Sequence, residues 1–349
     1  MSASSKGNGR ITRLTGTGCL VVFGLFWSAL TLVADAAIGW NVLRQLHALT
    51  FSTTIGTVTL SQVKKVDDED GATYRPQIAY SYSVDGREYA SDRYRYGEWS
   101  AAKARADEIV ASHPVQSRIT VYYRASNPSD AVLRAGLEGM DLFLGMFMLP
   151  FNAVMAAFWA AGGGAAFRML VPSPTGGAKV REDGYCVRVD LSSTSPVVSG
   201  AAISCALAFV MTFIIGFGFG GSPPRFVMLV VWAVILAGGT WGYLYHRAKS
   251  ARGDFDLMLD TLSQSITLPP TLGRTLVVKV PASKITSVVV EEVAKRGSKG
   301  TEYQVYAPTV VFTDEDGSIR RERLVEWPDA KQAETLAGWL GHRIGIRST

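Results

Sequence analysis

Residues 18–34 read GCLVVFGLFWSALTLVA and contain no Asp, Glu, Lys or Arg. A second stretch without charge runs from Leu142 to Ala166. A helix of about 20 apolar residues crosses the hydrocarbon core of a bilayer, which is about 30 Å thick, because each residue adds about 1.5 Å. A charge at mid-bilayer costs about 2.5–3.5 kcal/mol, so its absence over such lengths indicates lipid surroundings.

Four stretches of this kind organise the chain. The hydrophobic content of 48% and the mean hydropathy of +0.15 would also fit a large soluble protein. The clustering of the apolar residues into long stretches argues against a soluble protein, since buried helices of soluble proteins rarely exceed about 14 apolar residues. We predict transmembrane helices at 17–37, 140–162, 198–220 and 226–245. They separate an N-terminal segment 1–16, a polar segment 38–139, a shorter segment 163–197 and a C-terminal segment 246–349.

The placement of basic residues predicts the topology. Lys and Arg residues precede the first span, lie between the second and third, and follow the fourth, whereas the turn between spans three and four has only Arg225. The basic residues that count are Lys6, Arg10, Arg13, Arg168, Lys179, Arg181, Arg188, Arg247, Lys249 and Arg252. Basic flanks stay in the cytoplasm. We therefore expect a bacterial inner-membrane protein with both termini cytoplasmic and residues 38–139 outside.

The first span has two interpretations. Ala34-Asp35-Ala36 offers a small-x-small site for cleavage of a signal peptide. Its apolar run is longer than the 7–15 residues usual in signal peptides, and a helical pattern continues to Arg44 and His47. The length favours an uncleaved anchor, which the mass of the mature N-terminus would test.

The outer segment alternates like a set of β-strands. We predict strands at 57–66, 78–84, 87–96 and 118–124, and a helix at 101–112 with Ser100 as its N-cap and a Lys103–Asp107 pair. The expected turns are Asp67–Gly71, Asp85-Gly86 and Asn127-Pro128. The protein is thus predicted to be an α+β membrane protein.

This succession carries a family resemblance. The pattern consists of Tyr74-x-Pro76-x-Ile78-x-Tyr80-x-Tyr82-x-Val84-x-Gly86-x-x-Tyr89, then Val121-Tyr122-Tyr123, Asn127-Pro128 and Ala131-Val132-Leu133-x-x-Gly136. It resembles the bacterial membrane-protein family called domain of unknown function 3592, over about residues 55–165. Arg124 and Val115-Gln116 depart from the family pattern in turn detail. The resemblance implies topology and no activity.

The C-terminal segment also reads as β-rich. Strands are expected at 265–268, 274–280, 284–293, 303–313 and 318–326, followed by a helix capped by Asp329 with one apolar stripe, Ala333, Leu336, Ala337 and Leu340. Strands followed by one amphipathic helix resemble bacterial pleckstrin-homology-like domains. We hypothesise that a strand at 179–190 completes this domain. The third and fourth spans then lie in sequence between that strand and the rest of the domain.

Several polar clusters have two interpretations. Asp67–Asp70 could bind Ca²⁺, but Ile78 stands where an EF-hand loop needs Glu, which favours a solvated turn. The stretch Arg87–Trp99 interleaves arginines and tyrosines as glycan or phosphate binders do, although both are ordinary residues of exposed strands. Lys295, Arg296 and Lys299 would suit either anionic lipid or a solvated hairpin tip. His113 precedes a proline and indicates a helix end.

Catalytic chemistry is not indicated. Asp35, Asp141 and His47 are isolated in sequence, and both aspartates are expected at the outer edge of a span, where they can be hydrated. Asn152 is the one strongly polar residue deep in a span, which a weak bond to a neighbouring helix would explain. The four histidines are too dispersed for a zinc site, and the three cysteines form no spacing motif. We therefore assign no catalytic, cofactor or metal residues.

The predicted partners are the lipid bilayer and other proteins, and nucleic acid is not expected. Small residues at four-residue spacing favour close helix packing or self-association: Ala153, Ala157, Ala161 and Ala165 on the second span, and Gly238 and Gly242 on the fourth. Three functions remain open: a non-enzymatic interaction or envelope scaffold protein, a membrane enzyme acting on lipid or glycan, and a small-solute transporter. The absence of charged residues deep in the spans disfavours transport.

Overall fold

The computed structural model describes residues 6–68, 71–97, 103–170, 173–192, 194–219, 223–297, 300 and 302–346. These residues form an α+β protein with six α-helices and thirteen strands. The helices are α1 Lys6–His47, α2 Lys103–Ala111, α3 Gly139–Leu170, α4 Pro196–Phe219, α5 Arg225–Arg252 and α6 Ala330–Ile344. The strands are β1 Ser52–Asp68, β2 Gly71–Val84, β3 Arg87–Ser91, β4 Arg118–Arg124, β5 Asn127–Val132, β6 Lys179–Asp183, β7 Cys186–Asp190, β8 Asp256–Asp260, β9 Ser265–Leu268, β10 Val278–Pro281, β11 Ile285–Arg296, β12 Glu302–Thr313 and β13 Ile319–Arg323. The chain divides into two compact units, residues 1–158 with 202–238 and residues 159–201 with 239–349.

Four of the helices are long and apolar enough to cross a membrane. The qualifying segments are Val21–Thr50, Gly139–Gly163, Pro196–Phe219 and Arg225–Arg252. Large apolar side chains on them stay exposed, with Phe26 at 64%, Phe217 at 87% and Trp241 at 63%. Exposed apolar area of this size is unfavourable in water.

Within the first unit the long helices make side-chain contacts. The indole Nε1 of Trp27 donates to the Phe151 carbonyl (3.3 Å), and a Cβ at Gly24 would lie 2.0 Å from the Phe158 ring. A buried cluster joins α3, α4 and α5: Met146, Ala208, Ile215, Met228, Val231 and Ile235. At Gly238 a Cβ would lie 2.4 Å from Leu207. Glycine therefore permits the close approach at two of these contacts.

The first module, defined as β1–β5 with α2, is one antiparallel sheet in the order β3-β2-β1-β4-β5. Alternating apolar positions place Ile78, Tyr80 and Tyr82 on one face, where they pack with Val58, Val121 and Ile109 of α2. The hairpin between β2 and β3 turns at Asp85-Gly86, both with positive φ (51° and 76°).

Three predictions in this module are wrong in detail. The predicted strand 87–96 ends at Ser91, because the Tyr94 carbonyl instead accepts hydrogen bonds from the Leu133 and Arg134 amides (3.0 and 2.9 Å). Asn127-Pro128 does not form the turn but opens β5, beside a register irregularity where proline's missing N–H is tolerated. On α2 the predicted Lys103–Asp107 pair is replaced by the i,i+3 pair Arg105–Glu108 (2.7 Å). The Lys103 ammonium lies 5.9 Å from the Tyr74 ring instead. The proposed N-cap Ser100 lies outside the described residues.

The second module, defined as β6–β13 with α6, has two antiparallel sheets in the orders β10-β9-β8-β7-β6 and β11-β12-β13. Their inner faces share one core with α6. This core includes Val189, Leu257, Ile266, Val288, Val310, Leu336 and Leu340. The α6 stripe predicted from sequence is buried, and Asp329 caps the helix by accepting from the Lys331 amide (3.0 Å).

The helices α4 and α5 are inserted between two neighbouring strands of this module. Residues 179–190 form a hairpin, β6 and β7, rather than one strand, and Gly184 turns it with φ of 59°. β7 pairs directly with β8 in the register Asp190↔Asp256. The chain that connects these paired residues contains both helices.

One further expectation fails in the second module. Residues 274–277 lie in a loop, because Arg274 donates to the carbonyls of Pro269 (2.9 Å) and Arg323 (2.6 Å) instead of joining the sheet. The strand β8 was not predicted.

Candidate binding cleft of the first module

Basic and aromatic side chains from three parts of the first unit line one open cleft of about 620 Å³, called here the basic cleft. The last turns of α1 supply Asn41 and Arg44, and β1 and β2 supply Lys64 and Arg75. The segment after β3, residues 92–97, supplies most of the rest, together with Pro76 and Gln77 of β2. This segment can line the cleft because β3 ends at Ser91 and the residues that follow do not pair with the sheet.

The floor of the cleft contains a buried ion pair. The Arg95 side chain is 4% exposed and binds the Asp141 carboxylate of α3, which is 11% exposed. Asp141 also accepts from the Glu138 amide (2.9 Å), which caps the start of α3. The sequence predicted that Asp141, at the outer edge of a span, could be hydrated. In the structure its carboxylate is paired with Arg95 and is 11% exposed.

Gln45 completes the floor from α1. It is fully buried, and in one orientation of its side-chain amide both the oxygen and the nitrogen form hydrogen bonds. In this orientation the oxygen accepts from Arg95 Nε (2.7 Å) and Nη2 (2.9 Å), and the nitrogen donates to the Arg134 carbonyl (3.3 Å). Arg95 is thereby fixed by α1 and α3 together.

Tyr96 forms one wall and organises further charges. Its hydroxyl donates to Asp130 Oδ1 (2.6 Å), and the same carboxylate binds Arg93 (2.8 Å) and Arg124 (3.2 Å). The Arg44 guanidinium lies 4.1 Å from the centre of the Tyr96 ring, a cation–π distance. Burial of the phenol, with the neighbouring Asp130, raises the pKa of Tyr96 above its usual value of 10.0. Tyr96 is therefore a neutral donor at physiological pH.

The edge of the cleft on β1 and β2 carries two cations side by side. Lys64 and Arg75 are directly opposed in the antiparallel register, so their side chains leave the same face of the sheet. Like charges in this position destabilise the strand pair unless something neutralises them. The neighbouring pair, Gln62 and Gln77, forms a direct side-chain hydrogen bond (3.0 Å).

Cationic side chains predominate among the described residues that line the cleft. They are Arg44, Lys64, Arg75, Arg93 and Arg95, against one acid, Asp92. Asp130 pairs with Arg93 and Arg124, and Asp141 pairs with Arg95.

The structure brings together part of the stretch singled out from sequence. Arg93, Tyr94, Arg95 and Tyr96 line the cleft, whereas Arg87 and Tyr89 lie in β3 and do not. Trp99 lies outside the described residues. Sequence reasoning missed Arg44, Lys64 and Arg75. The signal for Lys64 and Arg75 was the like-charge pairing that a β1–β2 hairpin would impose, and Arg44 on α1 gave no such signal.

The acidic and basic residues that are isolated in sequence contact different partners in the structure. Asp35 accepts from the Asn152 amide (3.1 Å), so the expected bond from Asn152 to a neighbouring helix is present. The His47 ring packs edge-on against Phe51, and His113 Nδ1 lies 2.8 Å from the Ile109 carbonyl at the end of α2. Among the described residues, no three His, Cys, Asp or Glu side chains group as metal ligands.

The remaining sequence candidates are placed as follows. Lys295 binds Glu326, and Arg296 lies 3.4 Å from Glu302, so these two cations of the β11–β12 hairpin are paired. Lys299, and Glu69 and Asp70 of the acidic turn, lie outside the described residues. Cys186 and Cys205 are free thiols.

One comparison with known proteins gives a match. The family model described as "Domain of unknown function (DUF3592)" matches residues 54–138. This segment matches the DUF3592 family. It contains nearly all of the first module, and therefore most of the basic cleft except the residues from α1. No curated protein and no solved structure matches the chain.

Proposed function

We propose that this chain is a non-enzymatic protein of the bacterial inner membrane that presents its DUF3592 domain outside the cell membrane as a binding module. In this proposal α1, α3, α4 and α5 cross the bilayer, and both termini are cytoplasmic. The exposed apolar faces of these helices and the basic flanks of the first, second and fourth spans support it.

The pairing of β7 with β8 supports the same topology independently of the charges. Asp190 and Asp256 are opposed in one sheet, so they must lie on the same side of any membrane. The intervening α4 and α5 therefore cross it an even number of times. Two crossings, one for each apolar helix, satisfy this condition and keep the second module together in the cytoplasm.

The basic cleft is the observation on which the binding role rests. Several cations and two tyrosines converge on an open volume of about 620 Å³, and the buried Arg95 fixes its floor. Fixed donors in an open cleft suit recognition, because little order is lost when a ligand binds. We propose that this surface engages another envelope component and that the protein acts as a scaffold.

Self-association through helix faces belongs to the same proposal. Ala157 and Ala161 of α3 are exposed, and small residues let two helices approach closely in lipid. Ala165 belongs to the same stripe, but its side chain lies outside the described part of the chain.

The binding role can be tested by cross-linking in native membranes. A photo-reactive amino acid at Lys64 should capture a specific envelope component, and the same residue at Ser126, an exposed turn residue, should not. Capture of nothing from either position, with the full-length protein present in the membrane, would contradict the proposed role.

A further inference from the structure

We infer that the loop between β9 and β10, residues 269–277 and called here the β9–β10 loop, inserts apolar side chains into the lipid surface beside α4 and α5. This inference rests on the proposed crossing of the bilayer by those two helices. The loop displays Leu272, Leu276 and Val277, which are 46%, 76% and 58% exposed. It lies in the same compact unit as the start of α4 and the end of α5. Its position can therefore be compared directly with the points where these helices would leave the lipid.

The polarity of the β9–β10 loop is inverted with respect to an ordinary surface loop. Its one charged residue, Arg274, has a side chain that is 7% exposed, whereas both leucines and the valine are exposed. Neighbouring exposed apolar side chains are unfavourable in water and mark contact with another molecule or with a membrane. This pattern favours a loop whose outer surface meets an apolar medium.

Arg274 holds the loop in this form. Its guanidinium donates to the Pro269 carbonyl (2.9 Å) and the Thr271 hydroxyl (3.0 Å) within the loop, and it pairs with Glu322 of β13 (3.1 Å). Leu272 has a φ of 54°, a backbone conformation that is strained for leucine. The apolar side chains are thus presented by an ordered loop, and little conformational order is lost when they enter lipid.

The register of the sheet places this loop at the end that carries the helices. The strands β7, β8, β9 and β10 are neighbours in one antiparallel sheet. β7 ends and β8 begins at the opposed pair Asp190↔Asp256, and β9 ends and β10 begins at the same end, where Leu268 opposes Val278. α4 follows β7 and α5 precedes β8. The β9–β10 loop and both helices therefore share one end of the sheet.

Side chains on α5 indicate where the lipid surface lies. Trp241 and Tyr245 are exposed and stacked (5.5 Å), and the Lys249 ammonium lies 5.0 Å from the Tyr245 ring. Aromatic and basic residues together are typical of the boundary between lipid and water. From Tyr245 to Arg252 the helix rises about 10 Å, and residues 269–277 can extend about 15 Å from the sheet. The loop is long enough to reach the headgroups, where exposed apolar side chains enter the acyl boundary.

Exposure alone does not distinguish this loop. Leu262, in the β8–β9 turn, is 70% exposed, and Tyr185, in the β6–β7 turn, is 66% exposed. Both turns lie at the other end of the sheet, where Cys186 opposes Asp260. Leu262 is therefore a matched control for Leu276, since the two have the same side chain and similar exposure but lie at opposite ends of one sheet.

The test uses the full-length protein without its three cysteines, in nanodiscs of phosphatidylcholine and phosphatidylglycerol. An environment-sensitive fluorophore is attached at Leu276→Cys or at Leu262→Cys, and nitroxide-labelled phospholipid is included as the quencher. We expect the probe at position 276 to emit at shorter wavelength and to lose most of its emission to the nitroxide, and the probe at position 262 to keep its emission. Equal quenching at both positions, or quenching at neither, would overturn the inference.

A third probe separates this inference from the proposed topology. Leu236 lies within α5 and is 61% exposed, so a probe at Leu236→Cys should be quenched by the nitroxide if α5 crosses the bilayer. Quenching at position 236 without quenching at position 276 would refute the insertion of the loop and leave the crossing intact. No quenching at position 236 would refute the crossing and the inference with it.

The substitution Leu272→Asp/Val277→Asp tests whether the apolar side chains cause the contact. Aspartate tolerates a positive φ, so the loop can keep its backbone, but a carboxylate disfavours entry into lipid. We expect quenching at position 276 to fall to the level of position 262, and Leu262→Asp to leave it unchanged. Trypsin protection equal to that of the Leu262→Asp protein shows that the module is folded. Unchanged quenching in the double variant would contradict the inference, as would a short-wavelength probe at position 276 that the nitroxide does not quench, since a protein would then cover the loop.

Discussion

At the scale of single residues, Arg95 has the largest structural consequence. It follows a strand by a few positions, yet it is buried against α3 through Asp141 and against α1 through Gln45. A buried ion pair contributes little compared with well-packed apolar residues, but removal of one partner leaves a buried charge without compensation. The position of the cleft floor depends on this pair.

Substitution Asp141→Asn should therefore destabilise the first unit by about 3–5 kcal/mol, because the Arg95 charge stays buried. Thermal unfolding of the full chain in detergent measures the effect. The matched control Glu108→Gln breaks the exposed pair with Arg105 and should cost less than about 1 kcal/mol. Equal losses in the two variants would show that Arg95 does not organise the site.

The two carboxyls at the ends of β8 should respond to pH with opposite signs. Burial, with the neighbouring Asp190, raises the pKa of Asp256 above its ordinary 3.8, and hydrogen bonds from Ser263 lower the pKa of Asp260 below it. Ionisation of Asp256 therefore weakens the folded state as the pH rises through the interval from 3.8 to the raised pKa. Ionisation of Asp260 stabilises the folded state at pH values above 3.8. That stabilisation is lost as the pH falls through the lowered pKa of Asp260.

We expect Asp256→Asn to raise the unfolding temperature of the second module at pH 7 and Asp260→Asn to lower it. The increase for Asp256→Asn should vanish once the pH is below both pKa values of the wild-type carboxyl, because both proteins are then neutral at that position. Thermal melts followed from pH 3 to pH 8 check this. A change of the same sign in both variants would contradict the assignment.

At the scale of elements, the hairpin β6–β7 is the feature that links distant parts of the chain. It precedes α4, yet it contributes core residues to a module whose other strands follow α5. Val189 is fully buried opposite Leu257, so the sheet loses part of its core without this hairpin.

Substitution Val189→Asp should expose residues 256–346 to protease, because an unpaired carboxylate in this core costs several kcal/mol. Limited trypsin digestion in nanodiscs, followed by mass spectrometry, measures the protection. Tyr185→Asp, at the exposed turn of the same hairpin, should leave it unchanged. Deletion of residues 178–192 should have the same effect as Val189→Asp. Unchanged protection in Val189→Asp would refute the role of the hairpin.

Elements with a strong period or a uniform composition were predictable from sequence. The alternation around Ile78 and the stripe around Leu336 both describe faces that are buried in the structure. Ends of elements were less predictable, because long-range contacts set them. Ser91 ends β3 since the Tyr94 carbonyl accepts from residues 133 and 134, and no local signal shows this. β8 is only five residues long and follows a helix directly.

The candidate site was predictable only in the part that is continuous in sequence. The Arg-Tyr alternation at residues 93–96 indicated a binding surface, and these residues do line the cleft. Arg44, Lys64 and Arg75 join them only through the fold. Asp141 was expected at a hydrated edge, because its partner Arg95 is 46 residues away in the chain.

At the scale of the whole molecule, the proposal is that four apolar helices cross one membrane. Their exposed side chains, the basic flanks and the β7–β8 pairing support it. In the proposed topology the first module lies outside, where envelope components would have access to the basic cleft, and the second module lies in the cytoplasm.

The most direct test is labelling of single cysteines in intact cells with a membrane-impermeant maleimide. Cys19, Cys186 and Cys205 are first replaced by alanine or serine, and Ser126→Cys or Ser318→Cys is then introduced at an exposed turn of the first or second module. In the proposed topology Ser126→Cys is labelled in intact cells and Ser318→Cys is labelled only after lysis. Labelling of Ser318→Cys in intact cells, or protection of Ser126→Cys until lysis, would contradict it.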